Sequence, residues 1–329
     1  MMNNYKKIIS LVVSAKNICI IQADNPDGDS LASSLALEAI FSDLGKRVSM
    51  VCGIDMPAHL KYLSGWDRVA KDAPRETDLV VIVDANTETM FESLDKNGQM
   101  AWLKTKPTIV IDHHIEAGGI SWASETLSEE TVATGAIIYR IAKEAGWPLP
   151  VDACEMLTVS ILSDSLGFTS EATSADDLRI VADLVDHGVD LAKLDAARRE
   201  LNKREPELLN YKGELLQRVE LHGGGQIATI TIPWPEIEKY SSIYNPTMLA
   251  IDDMRMTVGV RVCIGFKTYP DGRITAKIRS NPGGHIADKL AAHFGGGGHP
   301  YAAGFKVTDG RKFEEIKQET IRKAEELLS

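Results

Sequence analysis

The sequence predicts an α/β protein: a doubly wound, mainly parallel sheet, then a smaller C-terminal α/β domain, joined by a helical linker. Three observations lead there. Near-continuous apolar runs recur at 17–23 (NICIIQA), 47–52 (RVSMVC), 79–85 (LVVIVDA) and 108–114 (TIVIDHH), as expected of strands buried on both faces. Helical stretches alternate with them, which gives a βαβ succession. After about residue 190 the pattern changes, first to a charged helical stretch and then to strands around hairpin turns.

The chain opens on MMNNYKKIISLVVSAKN, read as an amphipathic helix because ISLVV is too short for a secretory signal. The first strand runs into NPDGDS, a turn, and LASSLALEAIFSDLG follows as a helix that Gly45 stops. Residues 132–146, 151–163 and 174–187 read as helices, the last closed by Gly188. Residues 190–220 are charged and helical, which suits a connector. From HGGG (222–225) onward, QIATITI, TVGVRVCIGFKT and RITAKIRS read as strands, with Pro270-Asp271-Gly272 as a hairpin turn. A helix over 286–294 leads into GGGGHPYAAGF, and a charged amphipathic helix ends the chain. The domains expected are 1–189, a linker at 190–220, and 221–329.

At 329 residues the chain exceeds one ordinary core. It carries 36 basic and 47 acidic side chains, a formal charge of −11. Such a surface repels a long polyanion, so long duplex DNA is excluded and any phosphorylated substrate should be small. No apolar run approaches the roughly 20 residues that span a bilayer. Cys19, Cys52, Cys154 and Cys263 are scattered in apolar segments without zinc spacing. Buried thiols in a reducing cytoplasm are the expectation.

The chemistry-bearing residues of the first domain sit just past strand ends, where open α/β sheets bind ligands. Asp27 and Asp29 follow the first strand, Asp84 ends the third, and Asp112, His113 and His114 end the fourth; Asp164 follows an apolar stretch. Singly, each acidic residue reads as a turn or helix cap. Together they are a donor set of mostly oxygens with imidazole, suited to Mn²⁺ and, as a second choice, Mg²⁺. Two such ions would suit phosphoryl hydrolysis. In the second domain a glycine run frees backbone N–H groups to approach a phosphate. The guanidinium fork of Arg279 suits a terminal phosphate.

NPDGDS, VDAN, DHH and LSDSLGF, in that order, resemble motifs I to IV of the DHH phosphoesterase superfamily. IRS (278–280) and GGGGHPYAAGF resemble its C-terminal DHH-associated domain. The resemblance covers essentially the whole chain and is nearest to the nanoRNase and 3′-phosphoadenosine-5′-phosphate phosphatase group. It implies that Asp27 binds metal 1, Asp29, His113 and Asp164 bind metal 2, and Asp84 bridges them. The catalytic set it implies is Asp84, Asp112, His113 and His114, with Asp112 orienting a neighbour and His114 near the phosphate oxygens. Substrate contact falls to Arg279, Ser280 and His299, with Gly296, Gly297 and Gly298 in a close-approach loop. The implied activity is Mn²⁺-dependent hydrolysis of short oligonucleotides to mononucleotides, or of the 3′-phosphate of 3′,5′-bisphosphonucleotides. The implied partner is a small nucleotide or short oligonucleotide, with no membrane involved; a homodimer is compatible with the sequence.

One position departs from the pattern. Four residues before Asp27 the family carries a ligating side chain, and this chain has Ala23. Metal 1 is then weakened, with Asp24 the best donor among its neighbours Gln22, Asp24 and Asn25. Two alternatives follow: a nucleotide-binding protein with impaired hydrolysis, or a phosphodiesterase directed at cyclic dinucleotides or single-stranded DNA.

Overall fold

A computed structural model describes residues 2–115, 119–201 and 203–329. The chain divides into two compact units, Met1–Lys203 and Arg204–Ser329. The division falls inside the charged 190–220 stretch. Leu194 packs on the core of the first unit, whereas Leu208, Tyr211 and Leu215 are buried in the second. That second trio lies on one helical face, which anchors its helix there.

The first unit runs α1 (Met2–Ser14), β1 (Asn17–Gln22), α2 (Gly28–Asp43), β2 (Arg47–Cys52), β3 (Val69–Ala70) and β4 (Leu79–Val83). It continues through α3 (Glu92–Lys96), α4 (Met100–Leu103), β5 (Thr108–Asp112), β6 (Glu125–Ser128), α5 (Thr134–Ala145), α6 (Val151–Asp164), α7 (Ala175–Asp186) and α8 (Leu191–Leu201). The strands form one sheet in the order β3-β2-β1-β4-β5-β6, every pair parallel. The expected doubly wound sheet is present, with two short edge strands, β3 and β6, that sequence periodicity does not mark. Its switch point lies between β1 and β4, where the winding reverses and a ligand crevice opens.

Both faces of the sheet are covered. Ile18 and Ile20 of β1 join a core with α1, α2, α5, α6 and α7, while Cys19 and Ile21 join another with Phe91, Leu94 and Leu103. Helix α2 is buried almost all round and packs against α6. Its small residues make that approach possible.

The second unit contains α9 (Pro206–Gln217), β7 (Glu220–His222), β8 (Ile227–Ile232), α10 (Trp234–Tyr240), α11 (Pro246–Arg255), β9 (Val262–Thr268) and β10 (Ile274–Ser280). Helix α12 (Ala287–His293), β11 (Gly297–His299), β12 (Ala302–Val307) and α13 (Phe313–Leu328) complete it. Its sheet has the order β11-β12-β10-β9-β8-β7, antiparallel except for β8 and β9. One face packs Val262, Ile264, Ile274, Ile278 and Phe305 against α12 and α13. On the other, α9, α10 and α11 cover Ala228, Ile230 and Cys263. No helix of the described residues is long and apolar enough to cross a membrane.

Gly265 of β9 lies beneath α11. A Cβ there would meet Thr247 Cγ2 at 2.2 Å, and Thr247 is fully buried. Gly265→Ala is expected to destabilise the second unit by about 1–3 kcal/mol, the usual range for overpacking. Thr247→Ser, which removes the obstructing methyl, should recover part of the loss in a thermal melt of the double variant.

Candidate metal centre

Strand ends place the donors. β4 is buried along its whole length, and the chain leaves it at Asp84 in a left-handed conformation with φ 53°. Aspartate tolerates that region better than most residues. The Asp84 N–H donates to Ile111 O at 2.9 Å, which ties the exit of β4 to β5. β5 ends at Asp112, so His113 and His114 follow directly. Asp27 caps α2, its Oδ1 accepting from the Ser30 N–H at 3.0 Å. Asp29, in the first turn of α2, is fully buried. Asp164 ends α6.

His113 stands at the middle of this set. Its Nε2 lies 3.4 Å from Asp164 Oδ2, 3.5 Å from Asp84 Oδ1 and 3.8 Å from Asp29 Oδ2. Nε2 is buried without a hydrogen-bond partner, while Nδ1 sits 3.1 Å from Thr131 O. A carbonyl can only accept, so Nδ1 carries the proton and donates, and in the neutral ring Nε2 offers a lone pair. A lone pair facing three carboxylates needs a proton or a cation between them. Two donor groups are compact enough to hold an ion: Asp29, His113 and Asp164, and Asp84, His113 and His114. Oxygen donors with imidazole fit a divalent cation such as Mn²⁺ or Mg²⁺.

In the protein without metal, charge repulsion is met by protons. Burial, then the Asp164 charge, raises the Asp29 carboxyl above its usual range. Burial, then Asp29, Asp27, Asp164 and Asp112, raises Asp84 well above it. Burial alone would lower His113, but the Asp164 carboxylate 3.4 Å away and the Asp29 charge outweigh that and raise it to about 9. His114 is raised chiefly by its hydrogen bond to Asp112.

The Asp29 carboxylate is held by groups that sequence reading misses. Its Oδ1 accepts from Ser160 Oγ at 2.5 Å and Ser33 Oγ at 3.0 Å, and its Oδ2 from the Thr134 N–H at 2.8 Å. Ser160 Oγ also accepts from the Gly135 N–H at 2.9 Å. A Cβ on Gly135 would fall 2.1 Å from Ser160 Oγ, and one on Gly28 would fall 2.3 Å from Ser163 Oγ. Glycine at both positions lets α2, α5 and α6 close around the carboxylate. A signal was available: Ser33 and Ser160 interrupt otherwise apolar helices, and buried hydroxyls require partners.

Other expected residues are placed differently. Asp27 is exposed and belongs to neither compact donor group. Ala23 is buried among Ile21, Val51 and Phe91 and offers no donor. Asp24 does not replace it. Its Oδ2 accepts from the Ser93 N–H at 2.7 Å and its N–H donates to Met90 O, toward α3. Its carboxylate is thus taken up by the N–H at the start of α3, not by the donor set. Asp112 Oδ1 accepts from His114 Nδ1 at 2.8 Å, so the neighbour it orients is His114.

In the second unit, Arg279 lies opposite Ala302 across β10 and β12, and His299 lies opposite the same Ala302 across β11 and β12. Ser280, the next residue, is buried on the opposite face with its hydroxyl unpartnered. The glycine run is a loop only in part, since Gly297 and Gly298 pair in β11. Its glycines answer to their own sheet: a Cβ on Gly296 would fall 2.3 Å from Gly304 O, and one on Gly298 2.5 Å from Ala302 O.

A sheet that gathers carboxylates and imidazole at its switch point defines an α/β protein built around a divalent-cation site. The chain belongs to the DHH family: residues 17–161 match the DHH family, N-terminal domain, and residues 236–326 match the DHHA1 domain. It is 25% identical over 323 residues to the probable bifunctional oligoribonuclease and PAP phosphatase NrnA of Streptococcus mutans, covering 97% of this chain and 98% of that one. It is 27% identical over 195 residues to the probable manganese-dependent inorganic pyrophosphatase of Bacillus licheniformis, covering 54% and 60%. The fold matches that of an exopolyphosphatase-related protein from Bacteroides fragilis, with TM-score 0.80, 20% identity, and 100% and 98% of the two chains covered.

Two measurements check the centre. Groups raised in the folded state add stability while protonated and lose it as pH rises through the folded value. The Tm of metal-free protein should therefore fall as pH rises through about 9, and the Tm gain from a saturating divalent cation should grow between about pH 6 and about pH 9. Ser160→Ala should weaken cation binding by about 10- to 100-fold in calorimetry, the usual effect of removing a ligand's outer partner.

Proposed function

We propose that the chain is a Mn²⁺-dependent phosphoesterase that hydrolyses short oligonucleotides to mononucleotides and removes the 3′-phosphate of 3′,5′-bisphosphonucleotides. One observation carries the reading: a buried His113 Nε2 with no partner faces three carboxylates. The near full-length similarity to a protein described as an oligoribonuclease and PAP phosphatase supports the substrate class.

Asp29, Asp84, His113 and Asp164 would hold one ion; Asp84 with Asp27 would hold a second, completed by substrate. Bound there, a divalent cation lowers the pKa of water and neutralises charge developing on phosphate oxygens. His114 is half exposed, and its bond to Asp112 favours the imidazolium, a donor fit for a phosphate oxygen. Asp112 fixes that ring, and Thr131 O fixes the tautomer of His113. Arg279 and His299, in one row of the second sheet, bind the terminal phosphate. The role expected of Ser280 is not retained, because its hydroxyl faces away from Arg279.

The Ala23 position favours one further reading, nucleotide binding with impaired hydrolysis. The two readings separate in one assay: chromatographic detection of mononucleotide from a dinucleotide, and of phosphate from a bisphosphate, with and without Mn²⁺. Turnover should require Mn²⁺, and Asp84→Asn should lower it by about 10³-fold, several kcal/mol of charge stabilisation. Tight nucleotide binding without turnover at saturating Mn²⁺ would establish the second reading, and equal turnover by both proteins would refute the first.

A further inference from the structure

The second sheet is covered on one face by α12 and α13, but on the other the helices lie over β8 and β9, with α11 also reaching β10. Beyond them the outward residues of β10, β12 and β11 fall into three cross-strand rows. Lys267 of β9 with Thr275 and Lys306 forms the first; Lys277, Gly304 and Gly297 the second, next to Gly265 that α11 covers; Arg279, Ala302 and His299 the third. Lys277, Lys306 and His299 are exposed, and Lys267, Thr275 and Arg279 half-buried. An open depression of about 560 Å³ lies here, lined by Thr275, Lys277, Gly295, Gly304 and Lys306 among others.

The charge on this face is uncompensated. Several cations elsewhere in the unit meet carboxylates: Lys212 with Asp253, Arg218 with Glu236, Lys239 with Glu207, Arg311 with Glu319 and Lys317 with Glu220. Among the described residues no carboxylate forms an ion pair with Lys267, Lys277, Arg279 or Lys306. Burial lowers the Lys267 ammonium, and the neighbouring Lys277 charge lowers it further. Like charges held side by side over a floor without side chains suit a ligand that brings repeated negative charge and a flat body. In a chain with net charge −11, such a patch is a local inversion of the field.

We propose that this open face binds the backbone of a short single-stranded oligonucleotide, with Lys277 and the Lys267–Thr275–Lys306 row taking phosphates beyond the one at Arg279 and His299. Successive rows lie about 7 Å apart, two residues along a strand, so each step serves roughly one nucleotide. The three rows limit the length: a dinucleotide reaches little past the Arg279 row, whereas a pentanucleotide covers the lysines. The glycines of the middle row let ribose or base lie against the backbone, where Lys277 alone projects.

The proposal rests on the reading of the protein as acting on short oligonucleotides, but its test needs no turnover. Fluorescence anisotropy of a labelled pentanucleotide and a labelled dinucleotide is measured on the full-length protein in EDTA. Lys277→Ala with Lys306→Ala should weaken the pentanucleotide at least fivefold and reduce its log K against log salt slope by about 1.4, near 0.7 per phosphate contact. The dinucleotide should change less than twofold. Lys277→Arg with Lys306→Arg should retain affinity, as should Lys312→Ala, an exposed lysine on another surface. Unchanged pentanucleotide affinity, or equal weakening of both ligands, overturns the proposal. So does lysine-dependent binding of tripolyphosphate as tight as the pentanucleotide, which assigns the face to simpler polyanions. If Mn²⁺-dependent hydrolysis fails while lysine-dependent binding holds, only the catalytic reading falls; the converse result removes only this track.

Discussion

Asp29, Asp84 and Asp112 are buried at one end of a parallel sheet, with Asp164 and His113 beside them, and their repulsion is what the first unit must accommodate. Like charges removed from water cost several kcal/mol each unless something of opposite sign joins them. Among the described residues no lysine or arginine is paired with these carboxylates, only the two imidazoles. Thr131 O accepts the hydrogen bond from His113 Nδ1 and so turns the other nitrogen toward the carboxylates. Protons or a divalent cation must then balance the site, and the two compete for the same atoms.

The surrounding fold keeps that competition close. The winding reverses between β1 and β4, so the residues after those strands meet at a gap no crossover covers. Gly28 and Gly135 bring α2 and α5 within reach of α6, where Ser160 serves both Asp29 and the Gly135 N–H. Asp84 leaves its strand in a left-handed turn that aims it at the same gap. A rigid cradle of this kind favours an ion of fixed radius over a loose cloud of counterions.

Most of the first unit was legible because strands buried on both faces read as unbroken apolar runs, and β2 in particular falls where RVSMVC places it. The short edge strands β3, β6, β7 and β11 were not, since two to four residues carry no period. The donors Asp29, Asp84 and His113 could be read from their position after strands, and Asp164 from its place at the end of an apolar stretch, which is helix α6. The hydroxyls of Ser33 and Ser160 stand out as polar groups in apolar helices, but that Ser160 of α6 meets Asp29 of α2 is visible only in three dimensions. Ser280 illustrates the opposite failure. Adjacent to Arg279 in sequence, it faces the other side of the sheet, a consequence of period two that a motif read as a string conceals. Asp24 fails for another reason: its carboxylate is engaged by the Ser93 N–H.

In the function proposed, the first unit offers an acidic centre for a cation and the second a basic sheet face for phosphates. The central claim is that His113 Nε2 meets that cation directly. Pulsed electron paramagnetic resonance of Mn²⁺ bound to the full-length protein tests it. The account predicts nitrogen modulation from a coordinated imidazole in the wild type, lost in His113→Gln. Bound Mn²⁺ with no nitrogen coupling, or coupling that survives the substitution, would contradict it.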